Sequence, residues 1–235
     1  MKILAIGNSF SQDATALLQL LTDKLVVRNL YIGGCSLERH RDNAKSDAAA
    51  YDFQENGEKL RPTPISIREA LTGERWDAVT VQQVSGKSGI VSSYEPYLSE
   101  LLQYIRRYSD AEILLHETWS YETGSTHSDF AAYGRDSEKM ADAIEEACAT
   151  VAKAHGLRRI PVGRAIREVR HAPSFDPSRG GLSIHRDGFH LSLNYGRLLA
   201  ASVWCRFFTE EIPEIFGREN LSCPMADLAR VLHTL

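Results

Sequence analysis

Short apolar runs alternate with amphipathic stretches along the whole 235 residues, and this alternation restricts the fold more than any other feature of the chain. Ile3 to Ile6 reads as a strand, running through Gly7-Asn8-Ser9-Phe10-Ser11 into a helical pattern over 13–25, with Leu17, Leu18, Leu21 and Leu25 on one side and Ser11 as N-cap. Val26 to Ile32 is a second strand closed by Gly33-Gly34. Trp76 to Gln82, Glu112 to His116 and Ile160 to Val162 supply three more. Between and after them, helices are predicted over 65–71, 97–108, 135–155 (stopped by Gly156) and 192–208. The region from Leu37 to Arg61 is less regular, with Asn56-Gly57 as a two-residue hairpin signal between Tyr51-Asp52-Phe53 and Lys59-Leu60. Strand–helix alternation implies a three-layer α/β/α fold, one domain spanning residues 1–235, around a mostly parallel sheet of five strands. In such sheets ligands bind beyond the carboxyl ends of the strands. That edge collects Ser9, Gly34, Gln82, Gln83 and Trp119.

Composition narrows the partners. Hydrophobic residues make up 43% and charged residues 25%, ordinary for a globular domain, and the net charge of −4 offers nothing to attract nucleic acid or an anionic membrane. Of the four cysteines, Cys35, Cys148, Cys205 and Cys223, none forms a C-x-x-C pair or lies at zinc-finger spacing, which suits a reducing compartment. The apolar stretch at the start is too short for a signal peptide, and no run reaches membrane-span length. The expectation is a cytoplasmic chain that inserts in no membrane and binds no nucleic acid. Nothing in the pattern sets an oligomeric state.

The chemistry lies at the two ends of the chain. Ser9 is placed at the exposed end of a strand and beside the positive end of a helix. A serine hydroxyl needs a base to become a nucleophile, and Asp187-Gly188-Phe189-His190 offers one. The three-residue spacing puts Asp187 and His190 on one side of a turn, where the carboxylate can fix the imidazole tautomer. Taken alone, each motif reads better as a turn, with Ser9 a cap and His190 a structural histidine. Their joint occurrence favours catalysis. His185-x-Asp187-x-x-His190 is better explained this way than as a metal cluster, and His116-Glu117 lacks the second histidine of a zinc-protease helix.

The spaced blocks resemble those of the SGNH hydrolases, also called GDSL-like esterases. Among these the chain is most similar to a bacterial branch beginning Gly-Asn-Ser-Phe-Ser. Gly7-Asn8-Ser9-Phe10-Ser11 matches the nucleophile block, Gly33-Gly34-Cys35-Ser36-Leu37 the block giving an oxyanion-hole glycine, and Asp187-Gly188-Phe189-His190 the final Asp-x-x-His block. The third block departs from the pattern. Where the superfamily has Gly-x-Asn-Asp, this chain reads Val84-Ser85-Gly86-Lys87 after Trp76-Asp77-Ala78-Val79-Thr80-Val81-Gln82-Gln83, with no asparagine. The branch resemblance assigns the missing amide to Gln82, with Gln83, on the other strand face, second. The resemblance implies a flavodoxin-like sheet and a serine esterase with Ser9, Asp187 and His190 as catalytic residues. It also implies an oxyanion hole of the Ser9 amide, the Gly34 amide and the Gln82 side chain.

No metal or organic cofactor is required for that chemistry. The expected partner is a small-molecule ester, a short acyl group on a carbohydrate-like alcohol. Trp119 and His40, with Gln83, are candidate substrate contacts; core or rim packing for Trp119, and a surface or loop-holding place for His40, are the alternatives. Gly33-Gly34 reads equally as a plain strand exit, and Gln82 as a buried amide bonding backbone. The rival classes are a non-catalytic ligand- or carbohydrate-binding module and a nucleotide- or flavin-binding protein. The single glycine of Gly7-Asn8-Ser9-Phe10-Ser11 argues against the latter, since it makes neither a P-loop nor a dinucleotide fingerprint.

Overall fold

A computed structural model describes residues 1–235, and its centre is one twisted sheet. The strands are β1 (Lys2–Gly7), β2 (Val26–Tyr31), β3 (Asp52–Glu55), β4 (Glu58–Lys59), β5 (Ala78–Val81), β6 (Glu112–His116) and β7 (Arg158–Ile160). Their order is β4-β3-β2-β1-β5-β6-β7. The five expected strands form the parallel part, with Ile3 opposite both Val27 and Ala78 and Leu114 opposite Arg158. Taken alone these five follow the order 2-1-3-4-5 of a flavodoxin-like sheet. The sheet has seven strands rather than five, because the Asn56-Gly57 hairpin docks on it. β3 pairs antiparallel with β2 and β4 with β3.

Strands β1 and β5 are buried along almost their whole length, as central parallel strands covered on both faces must be. The helices are α1 (Ser9–Thr15), α2 (Leu37–Ser46), α3 (Ile67–Gly73), α4 (Tyr97–Tyr108), α5 (Ser137–His155), α6 (Val162–Arg170), α7 (Tyr195–Thr209) and α8 (Cys223–Thr234). Helices α2, α3 and α4 pack together as one layer. α7 packs against α1, α6 and α8 in the other, and α5 lies beside α6 at the β7 edge. No helix is long and apolar enough to cross a membrane.

Several boundaries differ from the sequence reading, each for a local reason. α1 begins at Ser9, four residues early, because Asn8 is its cap. Asn8 Oδ1 accepts the Phe10 N–H at 3.0 Å, while the expected cap Ser11 donates its hydroxyl to Asn8 O. The helix stops at Thr15, whose hydroxyl turns back to Ser11 O and takes a bond from Asn29 of β2; the leucines beyond form a short 3-10 turn over Leu18–Leu20. β7 ends before Pro161, which has no N–H to give a ladder, and α6 starts directly after it. α2 is capped by Ser36, whose Oγ accepts the Arg39 N–H.

Candidate active site

Ser9 opens α1 at the carboxyl end of β1, so its side chain stands where strand and helix meet. Gly7 permits this: a Cβ there would collide with the Ser11 hydroxyl and come to 3.2 Å from Gln82 Cδ. The Ser9 backbone N–H has no acceptor within the protein.

His190 reaches Ser9 from the loop between α6 and α7. Its Nε2 lies 2.9 Å from Ser9 Oγ and its Nδ1 lies 2.7 Å from Asp187 Oδ2. The Asp187 carboxylate can only accept from Nδ1–H, so in the neutral ring Nε2 bears the lone pair facing the serine hydroxyl. Asp187 Oδ1 also accepts the backbone N–H groups of His190 at 2.7 Å and Phe189 at 3.2 Å. Burial pushes this carboxyl up, but the bonds from His190 and the two amides outweigh it and hold the acid below its ordinary value. Gly188 makes the turn with φ +85°, and a Cβ there would press on Ser125 at 3.2 Å. The turn is held from outside by the Glu122 N–H on Gly188 O at 2.8 Å and by Trp119 Nε1–H on Phe189 O at 2.8 Å.

Gly34 lies on the exposed loop after β2 with φ +61°, its N–H unused by any other group. Asn8 ties this loop to the start of α1, donating from Nδ2 to Cys35 O at 3.0 Å. Gln82 lies behind Asn8, 1% exposed. Its Nε2 donates to Asn8 Oδ1 at 2.7 Å, leaving one amide proton without a partner, and its Oε1 lies 2.7 Å from His116 Nδ1.

The structure places the three expected substrate contacts inside the protein. Gln83 is committed to structure, with Oε1 accepting from Leu37 N and Val84 N and Nε2 donating to Ser93 O and Oγ. His40 is fully buried, its Nδ1 3.0 Å from the Tyr51 hydroxyl and 3.5 Å from Cys35 Sγ, and burial pushes its pKa down to about 3. It holds the loop instead of meeting solvent. Trp119 is also fully buried, stacked on Phe10 at 4.1 Å, so it backs the site instead of walling a pocket.

Two contributors escaped the sequence reading. Asn8 is one; an asparagine just before a helical pattern is the signal that finds it. Asp13 is the other. It is fully buried, bonded to Arg197 Nη2 at 2.7 Å, Arg186 Nη1 at 2.8 Å and Leu191 N at 3.0 Å. It lies one helical turn after Ser9, on the same face, and so clamps α1 to both ends of the His190 loop. A cavity of about 980 Å³ lies beside that loop, among Glu122, Arg135, Asp136, Arg170, Asp176 and Ser183. It contains none of Ser9, Asp187 and His190. No group of three or more His, Cys, Asp or Glu side chains is arranged to hold a metal ion.

The family described as "Domain of unknown function (DUF4886)" matches residues 2–233. A crystal structure of a DUF4886 family protein from Bacteroides uniformis ATCC 8492 superposes with a TM-score of 0.89 at 35% identity, covering 100% of this chain and 93% of that one. A protein from Slackia heliotrinireducens, named as a candidate SGNH hydrolase, follows with a TM-score of 0.62 at 24% identity, over 88% of this chain and 98% of its own. The acetyl xylan esterase AlAXEase gives 0.57 at 13% identity, over 87% and 98%. At these last two identities the likeness is one of fold. No curated protein matches the chain.

Proposed function

The chain belongs to the DUF4886 family, and we propose that it acts as a serine esterase. The observation that carries this reading is the double engagement of His190, bonded at once to Ser9 Oγ and to Asp187. That is the arrangement a hydroxyl needs to lose its proton as it attacks.

In the proposed course, Ser9 Oγ attacks the ester carbonyl and His190 Nε2 takes the hydroxyl proton. Asp187 holds the ring and stabilises the imidazolium. The carbonyl oxygen becomes an oxyanion received by the N–H groups of Ser9 and Gly34, with the remaining Gln82 Nε2 proton as third donor. Two features support these roles: both backbone N–H groups are free of other acceptors, and a buried amide proton without a partner is uncommon unless something is to meet it. Collapse breaks the ester C–O bond, and the alcohol leaves with the proton from His190. Water then attacks the Ser9 acyl group, His190 takes its proton, and the acid departs as the proton returns to Ser9. No step calls on a metal or organic cofactor.

For substrate we propose a short acyl group on a polyhydroxylated, carbohydrate-like alcohol. An acetyl xylan esterase among the structures that share this fold supports this reading. The esterase proposal is tested with p-nitrophenyl acetate. Ser9→Ala is expected to lower the rate at least ~10⁴-fold. Equal turnover by variant and wild type would remove Ser9 from the chemistry, and binding of acetylated sugars without any turnover would make the protein a binding module.

A further inference from the structure

We propose that His116 is a positioning residue for the oxyanion site, acting through Gln82 and Asn8 without touching substrate; this rests on the esterase reading above.

The argument follows from hydrogen-bond polarity. Two ends of the network are fixed by backbone: the Phe10 N–H can only donate and the Cys35 carbonyl can only accept. Asn8 spans them, with Oδ1 3.0 Å from Phe10 N and Nδ2 3.0 Å from Cys35 O, so its amide cannot be reversed. The 2.7 Å contact between Gln82 and Asn8 Oδ1 must then be donated by Gln82 Nε2. That turns Gln82 Oε1 toward His116 Nδ1, 2.7 Å away, and an oxygen at that distance requires a proton on Nδ1. His116 is therefore the neutral Nδ1–H tautomer. The rest of its surroundings agree. Nε2 has no partner, the ring is 1% exposed, and it packs edge-on against Trp204 at 5.4 Å and tilted to Trp119 at 6.4 Å.

The network holds each group proposed to receive the oxyanion. Asn8, in extended conformation with φ −140°, carries the peptide that bears the Ser9 N–H. Its Nδ2 anchors Cys35 O, one residue from Gly34. The second Gln82 Nε2 proton is aimed only as long as Oε1 is held. Without the His116 donor the Gln82 carbonyl is buried and unsatisfied, its amide loses a fixed orientation, and Asn8 loses its support from behind. In the structure His116 Nδ1 is the only donor to Gln82 Oε1, and both side chains are buried.

The test compares two substitutions of similar bulk. His116→Leu removes the donor; His116→Asn places an amide N–H where Nδ1 sits. On p-nitrophenyl acetate, His116→Leu is expected to lower kcat roughly 10- to 100-fold with KM within about threefold of wild type, a part of the full loss of an oxyanion donor. His116→Asn is expected to recover kcat to within about fivefold of wild type. Adding His116→Leu to Gln82→Leu is expected to cost nothing further, because the two act as one unit. Nitrogen-15 NMR of the ring, recorded in wild type and in Ser9→Ala, reads the tautomer apart from activity. Wild-type kcat in His116→Leu, equal losses in the Leu and Asn variants, additive losses with Gln82→Leu, or a proton on Nε2 would each overturn the proposal. Undiminished hydrolysis by Ser9→Ala would instead bring down the esterase reading, a result separate from every arm of the His116 series.

Discussion

Asn8 shows how much one side chain can index. It caps α1, anchors the Gly34 loop and accepts from Gln82, so removing it loosens three groups at once. Asn8→Ala is expected to cost about 3 kcal/mol of stability, about 1 for the cap and the rest for the buried groups left without partners. It is expected to cost roughly 100-fold in ester hydrolysis, far more than the cap alone explains. Denaturant unfolding and kcat on the same preparation check this; a loss of stability with kcat unchanged would reduce Asn8 to a structural role. At this scale the sequence was readable where a residue type and its position coincide, as with Ser9 at a strand exit and Asp187 three residues before His190. It was unreadable where burial decides. His40, Gln83 and Trp119 lie near the site in the chain, yet His40 and Trp119 are sealed in the core and Gln83 is spent on Leu37, Val84 and Ser93. Their exposure depends on elements that pack over them from distant parts of the chain.

Helix α1 is short, and its packing is correspondingly specific. Asp13 couples it to α7 through Arg197 and to the His190 loop through Arg186 and the Leu191 N–H. Asp13→Asn leaves the two guanidinium groups facing a neutral amide and is expected to destabilise the fold by about 3 kcal/mol. Amide hydrogen exchange at Leu191 is expected to quicken before global unfolding, because its acceptor has weakened. Unchanged protection there would mean that the loop is held by Trp119 and Glu122 instead. Whereas β7 buries only Ile160, the central strands of the parallel sheet, and α4 and α5, were legible because their apolar runs are strong. Helix α2 was not. Only Leu37, His40 and Ala44 are buried along its length, too few to mark a stripe. Helix α6 does carry one, in Val162, Ala165, Ile166 and Val169, masked in the sequence by the arginines between them. The hairpin was found from Asn56-Gly57, but its docking on β2 is a tertiary choice that no local pattern encodes.

Across the whole molecule, buried titratable groups set how stability depends on pH. His40, His116 and His185 are each pushed down to about 3 by burial. The stability gained by keeping these rings neutral is complete above their unfolded value near 6.5 and is lost as pH falls toward about 3, because the unfolded chain binds protons that the folded one refuses. Glu117 works in the opposite sense. Burial raises it to about 7 despite Arg159, so its contribution is complete below about 4.5 and is lost as pH rises to 7. Near pH 5.5, unfolding is expected to take up about three protons at the rings and release about one at Glu117, a slope of roughly 3 kcal/mol per pH unit. Glu117→Gln is expected to raise the uptake by about one proton, read from unfolding free energies at pH 5 to 6; an unchanged slope would place the carboxyl's titration outside this window. One last consequence follows from the 181 residues that separate Ser9 from His190 in the chain. On the proposed mechanism the hydroxyl leaves the ribosome long before its base, and every truncated product ending short of residue 190 is expected to be inert toward esters. Closing so long a span comes late in assembly, so recovered turnover after dilution from denaturant times the completion of the tertiary structure, not the first collapse.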